Sequence, residues 1–287
     1  MSHVVEVQDV CKSFGRFSLK DVNFGVNRGF ITGLIGPNGA GKSTIIKMMM
    51  DMVRPDKGSI QLLGGHPSEE PSIKDRVGYV SDENIYYEHL TIGRMKTILA
   101  PFYKHWDEEA FRKYLEMFEL SPKAKIKNLS KGMKMKFSLA VALSHHADLL
   151  IMDEPTAGLD PVFRRELLDL LSEQILDDSK SILFSTHITT DLDKIADYIV
   201  FLNAGQVVFS DSKEGVLDRY VMIKGGRELL DRDVRKLFVG VRESSVGFEA
   251  LCKDRSAAKQ VFQEDALLET PTLEDIMYFT SKGGKSA

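Results

Sequence analysis

The stretch Gly36–Thr44 contains the eight-residue pattern G-x-x-x-x-G-K-[ST], which is typical of a loop that wraps around the phosphates of a nucleotide. Its glycines let the backbone turn tightly, so that successive N–H groups converge on the phosphate oxygens. We expect Lys42 to reach the β- and γ-phosphates and Ser43 to place its hydroxyl on Mg²⁺. The residues of this phosphate loop are Gly36, Pro37, Asn38, Gly39, Ala40, Gly41, Lys42, Ser43 and Thr44.

Two acidic residues at the carboxyl end of an apolar run carry the second chemical signal. Asp153 and Glu154 directly follow the apolar run Leu149–Met152, which predicts a buried parallel strand. Asp153 can hold Mg²⁺, directly or through water, and Glu154 can polarise a water that attacks the γ-phosphate. An Asp-Glu pair could also begin a helix or lie in a solvated turn. Its place after a strand and downstream of a phosphate loop favours the catalytic interpretation.

His187 and Phe14 are two further candidates, each with a structural alternative. His187 ends the next predicted strand, Ser181–Thr186, at the edge of the sheet where ligands bind. Its imidazole could bind the γ-phosphate and help hold the water, although a single histidine is often structural. Phe14 lies just beyond a strand and, taken alone, is expected to be a core aromatic rather than a platform for a base.

The segments around these residues predict an α/β fold with a mostly parallel sheet. Ile31–Ile35 reads as a buried strand leading into the phosphate loop, and Lys42–Met52 as a helix that ends before Pro55. The positive end of this helix points at the same anion. A glycine-rich turn that matched by chance would lack this order. The other predicted strands are Val4–Val10 and Leu19–Val26, which form an antiparallel pair, Gly58–Leu63, Val77–Val80 and the hairpin Tyr198–Leu202 with Gln206–Phe209.

Helices dominate from about Asn84 to His146, where Asp107 and Ser130 can cap two of them. A third amphipathic helix is expected over Arg164–Leu176. After about Lys213 the elements become short, which predicts a small α+β appendage. Its expected elements are strands at Val221–Lys224 and Phe238–Arg242, a helix near Arg227–Leu237, a further element at Ala257–Phe262 and a terminal helix capped by Thr272.

Composition limits the possible classes of protein. The chain has 287 residues, 43% of them hydrophobic and 28% charged, which is typical of a soluble globular protein. Its formal charge of −4 gives no support to bulk nucleic-acid binding. Cys11 and Cys252 are too few and too far apart for a disulfide framework, which suits a reducing cytosol. Neither a membrane-spanning apolar stretch nor a signal peptide is expected.

Taken together, these segments resemble the ATP-binding subunits of ABC transporters. The resemblance covers about residues 1–212, and Leu129–Gly132 is its most diagnostic part, because it matches the signature segment that other phosphate-loop enzymes lack. The matching segments, in order, are Gly36–Thr44, Leu129–Met133, Leu149–Pro155, Ala157–Asp160 and His187. The resemblance implies the phosphate-loop ABC ATPase fold, with a nucleotide-binding domain at residues 1–212, a helical subdomain at about 84–146 and an accessory domain at 213–287.

The resemblance also implies roles for individual residues. Ser130 and Gly132 would bind the γ-phosphate of ATP held by a second subunit, and Asp160 would lie across the dimer interface. Phe14 matches the aromatic that stacks on adenine, which reverses the expectation of a core position. ATP and Mg²⁺ are the implied ligands, with Lys42, Glu154 and His187 as the catalytic residues and Ser43 and Asp153 near the metal.

Three positions depart from the family pattern. Lys131 and Met133 replace the first Gly and the Gln of the usual Leu-Ser-Gly-Gly-Gln, and this variant resembles the type-two exporters of drugs, peptides and bacteriocins. Asp82 stands where the family has a Gln that links the Mg²⁺ site to the membrane subunit. Its carboxylate could approach the metal, and its charge would also repel the γ-phosphate. Ala157 replaces a common Ser, which is a mild change.

A basic run surrounds the signature segment. It is expected to be a solvated face, and the alternatives are a positive potential toward the partner's ATP or toward anionic lipid headgroups. Its members are Lys123, Lys125, Lys127, Lys131, Lys134 and Lys136.

The sequence thus predicts an ATPase subunit that pairs head-to-tail with a second copy, or with a homologous subunit, around two ATP. It would act at the cytoplasmic face of the cell membrane on a separately encoded permease, for export of a drug, peptide or lipid-like cargo. Candidate permease contacts, which could equally be core residues, are Tyr86, Tyr87, His89 and Leu90. The alternatives are a non-transport ABC ATPase that acts on nucleic acid or the ribosome, and a phosphate-loop kinase or GTPase. The first usually has long insertions or two ATPase halves, and the second would leave Leu129–Gly132 and His187 unexplained.

Overall fold

A computed structural model describes residues 2–82, 86–263 and 265–283 of the chain. The chain divides into two compact units, one formed by Met1–Ile188 with Lys194–Ser210 and the other by Thr189–Asp193 with Asp211–Ala287. Whether each unit folds on its own as a domain stays a prediction. In the described part, no helix is both long and apolar enough to cross a membrane.

A three-stranded antiparallel sheet, in the order β2-β1-β4, belongs to the first unit. The predicted antiparallel pair is present, and both of its strands are longer than expected. Its buried face consists of valine and leucine side chains that alternate with exposed ones, as one covered face of a sheet requires. The strands are β1 (His3–Phe14), β2 (Phe17–Asn27) and β4 (Lys57–Leu62).

A six-stranded sheet forms the centre of the first unit, in the order β5-β6-β7-β3-β8-β9. The pairs β5-β6, β6-β7, β7-β3 and β3-β8 are parallel. Every residue of β3, β6 and β7 is buried, because both faces of a parallel sheet are covered. The strands are β3 (Ile31–Ile35), β5 (Val77–Val80), β6 (Leu149–Asp153), β7 (Ser181–Thr186), β8 (Tyr198–Asn203) and β9 (Gln206–Ser212). This sheet confirms the expected α/β fold class.

The helices of the first unit begin where the sequence places capping residues. Asp107 accepts hydrogen bonds from the N–H groups of Glu109 and Ala110, and Ser130 accepts one from Met133. Phe111 and Phe137 pack edge to face between two of these helices, with ring centroids 6.4 Å apart. The helices are α1 (Lys42–Met49), α2 (Ile92–Leu99), α3 (Glu108–Met117), α4 (Lys131–Leu143) and α5 (Pro161–Gln174), and α6 (Thr189–Ile195) follows β7. The start of the predicted helical subdomain, at Asn84, lies outside the described residues.

The second unit has a four-stranded sheet, in the order β11-β12-β10-β13. Three aromatic side chains, Phe238, Phe248 and Phe262, pack together in its core, with ring centroids 5.8 to 6.3 Å apart. The elements are β10 (Val221–Gly225), β11 (Phe238–Glu243), β12 (Phe248–Cys252), β13 (Leu267–Glu269), α7 (Lys213–Arg219), α8 (Arg255–Phe262) and α9 (Leu273–Gly283). The expected α+β character is therefore present.

One element of this unit was predicted wrongly. The helix expected near Arg227–Leu237 is replaced by two single 3₁₀ turns at Arg227–Leu229 and Val234–Leu237. Between them, the Asp231 carboxylate accepts hydrogen bonds from the N–H groups of Asp233 and Val234, both at 2.8 Å. An aspartate that binds nearby backbone in this way competes with the helical hydrogen bonds, and the helix is interrupted.

Candidate active site

The phosphate loop lies between β3 and α1, as the motif requires. Gly39 and Gly41 have φ angles of +80° and +112°, a region that side chains with a Cβ rarely enter. At Gly36 a Cβ would lie 2.2 Å from the carbonyl oxygen of Leu202, so the backbone of β8 excludes any larger residue there. Both constraints explain why glycine occupies these positions.

Lys42 is the buried cation of the site, with only 5% of the residue exposed. Its ammonium donates to the carbonyl oxygens of Gly36 at 2.8 Å and Pro37 at 3.5 Å, and lies 3.2 Å from a carboxylate oxygen of Glu154. A buried ammonium needs such partners, because an unpaired charge in the interior is costly. The loop carbonyls and Glu154 therefore hold the Lys42 charge at the phosphate loop.

Asp153 ends β6 and is 3% exposed. The Ser185 hydroxyl, on the neighbouring strand β7, donates to its carboxylate at 2.9 Å. Burial raises the pKa of the Asp153 carboxyl, while hydrogen bonds from the Ser43 and Ser185 hydroxyls lower it. The structure therefore brings together Ser43 and Asp153, two of the three oxygen donors expected near the metal, the third being Asp82.

This donor set fits Mg²⁺, which proteins usually hold through one or two carboxylates together with substrate phosphates. Within the described ranges, no group of three or more His, Cys, Asp or Glu side chains could hold a metal ion by itself. The buried Asp153 carboxylate also gains from a cation, since its charged form is the one that burial disfavours.

Glu154 follows Asp153 and has a left-handed backbone conformation, with φ at +50°. Its backbone N–H donates to the Ser185 carbonyl oxygen at 3.0 Å. One carboxylate oxygen faces Lys42, and the other lies 2.7 Å from the Nδ1 atom of His187. The backbone N–H of His187 also donates to Glu154, at 3.3 Å. Glu154 thus bridges the two other residues that were expected to be catalytic.

A cavity of about 390 Å³ lies over the phosphate loop. Among the described residues, its charged lining consists of Lys42, Asp82 and Glu154. The remaining lining residues are Phe17, Asn38, Gly39, Gly41, Ser43 and Thr44. The cavity therefore joins the phosphate loop to the carboxylate that was expected to act as the base.

Phe14 and Phe17 face each other across the hairpin between β1 and β2. Phe14 is 45% exposed, so it is not a core residue. Phe17 lines the cavity and approaches Gly41, where a Cβ would lie 2.9 Å from its ring. Sequence reasoning missed Phe17, although its position directly across the Phe14 turn is visible in the sequence. The stacking of Phe14 on adenine stays a prediction.

Ser130, Gly132 and Asp160 are not among the lining residues of this cavity. Ser130 caps α4 by accepting a hydrogen bond from the Met133 N–H at 3.2 Å. Asp160 caps α5 by accepting hydrogen bonds from Val162 and Phe163, at 3.1 and 3.0 Å. The hydrogen bond from Phe163 is the largest effect that lowers the pKa of the Asp160 carboxyl. Ser130, Gly132 and Asp160 therefore do not line the phosphate cavity of their own chain.

Asp82 does lie at the cavity, and a carboxylate oxygen of its side chain accepts a hydrogen bond from the Lys131 ammonium at 2.8 Å. Lys134 pairs in a similar way with Glu88 at 3.1 Å, and the Lys136 ammonium lies 4.3 Å from the centre of the Phe163 ring. Half of the basic run is thus engaged with neighbouring side chains of the same chain.

A family model described as "ABC transporter" matches residues 19–157. The chain is 34% identical to an uncharacterized ABC transporter ATP-binding protein of Synechocystis, over 74% of the chain and 62% of that relative. It is 31% identical to the Nod factor export ATP-binding protein I of Bradyrhizobium diazoefficiens, over 95% of the chain and 94% of the relative. It is 32% identical to the bacitracin transport ATP-binding protein BcrA of Enterococcus faecalis, over 72% of the chain and 69% of the relative.

A solved structure, described as an ATP-binding subunit of an ABC transporter, superimposes with a TM-score of 0.69 at 31% sequence identity. The match covers 75% of the chain and 92% of that structure. The similarity to BcrA agrees with the resemblance to bacteriocin-type exporters that the signature variant indicated. Since relatives at this identity match over most of their length and the phosphate loop has the required geometry, the chain belongs to the ATP-binding proteins of ABC transporters and is the ATP-hydrolysing subunit of one.

Proposed function

We propose that the chain closes with a second copy, or with a homologous subunit, around two ATP and two Mg²⁺, and that hydrolysis drives a separately encoded permease. The observation that carries this proposal is the position of Glu154. Its carboxylate contacts both Lys42 and His187 at the wall of the phosphate cavity. A base must lie within hydrogen-bond reach of the water that it activates, and this wall is where the attacking water would stand.

The residues of the site have separate roles in ATP hydrolysis. The N–H groups of the phosphate loop and the Lys42 ammonium hold the phosphates and stabilise charge on the γ-phosphate. Glu154 accepts the proton of the water, and His187 orients Glu154 and the γ-phosphate. Mg²⁺, held through Ser43 and Asp153, would neutralise charge on the phosphate oxygens.

Head-to-tail pairing is supported by the place of the signature segment. Ser130 and Gly132 begin α4, where backbone N–H groups and a hydroxyl can donate to an anion. These donors do not line the cavity of their own chain. A second copy can supply them, and Asp160 would then lie at the interface.

The exposed residues and the names of the relatives support a proposal for the permease contact and the cargo. Tyr87 is 59% exposed, whereas the Tyr86 hydroxyl lies 2.8 Å from that of Ser138 and its ring packs on Phe137. Tyr87 is therefore the stronger candidate for a permease contact. The names of two relatives refer to Nod factor export and bacitracin transport, which favours export of a peptide-like or lipid-like cargo. Such a permease would hold the chain at the cytoplasmic face of the membrane.

ATP hydrolysis by Glu154→Gln tests the proposal. Removal of a general base should lower turnover by roughly 10²- to 10⁴-fold while ATP binding persists. Glu166→Gln, at an exposed position on α5, is the matched control and should hydrolyse ATP at the wild-type rate. Chelation of Mg²⁺ should stop hydrolysis in every variant. Wild-type turnover in Glu154→Gln would contradict the assignment of the base.

A further inference from the structure

The ion pair between Asp82 and Lys131 joins two parts of the chain that are far apart in sequence. Asp82 follows β5 and lines the phosphate cavity, while Lys131 is the first residue of α4. Their side chains are 41% and 59% exposed, and the contact is 2.8 Å. Both residues stand at positions where the sequence departs from the family pattern. The two departures therefore meet in space and carry opposite charges.

The charge of Asp82 is unfavourable for the ligand of this cavity. ATP is a polyanion, and the cavity wall already carries the Glu154 carboxylate. The Lys42 ammonium is shared between Glu154 and two carbonyl oxygens of the loop, so its charge is engaged elsewhere. An unpaired Asp82 carboxylate would add a second negative charge and repel the phosphates. Lys131 removes this net charge.

We propose that Lys131 neutralises Asp82 within the same chain and thereby allows the cavity to accept ATP. Lys131 is then a positioning residue of its own ATP site, in addition to any contact with the ATP of a partner. This role rests on the proposed function, and it differs from the metal-ligand role expected of Asp82. It also predicts that loss of the Lys131 charge weakens ATP binding only while Asp82 keeps its carboxylate.

The test is a double-mutant cycle measured by binding, with no hydrolysis required. Lys131→Gln, Asp82→Asn and the double variant are titrated with ATP and with ADP in EDTA and in Mg²⁺. The protein concentration is kept low enough for light scattering to report a monomer. The control cycle is Lys134→Gln with Glu88→Gln, a surface ion pair whose side chains are 25% and 67% exposed; it joins the same two segments at 3.1 Å but does not line the cavity. Lys131→Arg keeps the charge and serves as the conservative variant.

We expect Lys131→Gln to weaken ATP binding by roughly two- to five-fold, the range for an exposed ion pair. The loss should be greater for ATP than for ADP, should occur without Mg²⁺, and should vanish in Lys131→Arg and in the double variant. The control cycle should leave both affinities unchanged. Unaltered ATP affinity of monomeric Lys131→Gln, or a double variant as weak as Lys131→Gln, would overturn the proposal. So would an effect of Asp82→Asn confined to Mg²⁺-containing buffer, which indicates a metal ligand.

The outcome also separates this inference from the proposed function. If the wild-type chain binds no ATP, the proposed function fails. If the wild-type chain binds and hydrolyses ATP while the two cycles behave alike, charge compensation by Lys131 alone is wrong.

Discussion

Two carboxylate–ammonium pairs border the same phosphate cavity, and they differ in burial. The side chains of Lys42 and Glu154 are 6% and 12% exposed, whereas those of Lys131 and Asp82 are 59% and 41% exposed. Removing one partner of a buried pair typically lowers stability by about 3–5 kcal/mol, because the other charge is left unpaired. An exposed pair contributes only about 0–1 kcal/mol to stability. The buried pair thus suits chemistry that needs fixed geometry, and the exposed pair suits adjustment of binding.

Besides the loss expected for Glu154→Gln, the largest effect is expected at Lys42. Lys42→Met removes the buried cation, leaves Glu154 without it and should lower ATP turnover by roughly 10²- to 10³-fold, as for loss of one preorganised donor. ATP hydrolysis by the purified chain measures this effect. Lys47→Met, at an exposed position on the same helix, is the control and should keep its activity. Wild-type turnover in Lys42→Met would contradict the assignment of the buried pair to the chemical step.

An intermediate effect is expected at His187. His187→Gln loses the 2.7 Å contact with Glu154, so the carboxylate is less well oriented. We expect turnover to fall about ten-fold, the upper range for one hydrogen bond, with little change in ATP affinity. Steady-state kinetics together with nucleotide titration checks this split, and exposed His105→Gln is the control. A loss of affinity at unchanged turnover would show that His187 acts only in binding.

A smaller effect, on stability, is expected at Asp153. Loss of its charge should stabilise the nucleotide-free fold, although it should impair function. Burial raises the pKa of its carboxyl above the unfolded value, so the charged form destabilises the nucleotide-free fold as pH rises through the folded pKa. Asp153→Asn should therefore melt at a higher temperature than the wild type at neutral pH, although it no longer responds to Mg²⁺. The difference should narrow in acid, where the wild-type carboxyl is protonated. A lower melting temperature for Asp153→Asn at neutral pH would contradict this account.

The smallest expected effect is a difference in salt dependence between variants of the exposed pair and variants of the buried pair. Raising ionic strength from about 0.1 M to about 1 M shortens the screening length from roughly 10 Å to roughly 3 Å. The ATP-binding defect of Lys131→Gln should fade over this range, because it comes from exposed charge. The loss of ATP turnover in Lys42→Met should persist over the same range, because buried groups are screened less by salt. Equal salt dependence of the two variants would show that exposure does not separate them.

Much of the fold and the site could be predicted because the signals are local. The glycines of Gly36–Thr44 fix the loop, and the apolar run Leu149–Met152 predicts the strand that places Asp153. Asp107 and Ser130 cap helices where expected, since each binds backbone only a few residues away. Such features depend on neighbouring residues and survive in any tertiary context.

The remaining features depend on contacts that sequence patterns do not encode. The left-handed backbone of Glu154 and the lining position of Phe17 require the assembled sheet and hairpin. The Asp82–Lys131 contact joins residues 49 positions apart. At Arg227–Leu237 the helical pattern does not produce a continuous helix, because the Asp231 carboxylate binds the nearby backbone N–H groups and competes with the helical hydrogen bonds. The catalytic roles themselves stay predictions until variants are measured.

Two chains are proposed to close around ATP, each completing the site of the other. The most direct test is the oligomeric state of Glu154→Gln, which should retain ATP because it hydrolyses the nucleotide slowly. With saturating ATP and Mg²⁺ we predict a dimer, measured by light scattering during gel filtration. The additional substitution Lys42→Met removes the ammonium proposed to hold the phosphates, so it should weaken ATP retention and return the chain to a monomer. A Glu154→Gln chain that stays monomeric at saturating ATP and Mg²⁺ would contradict the claim.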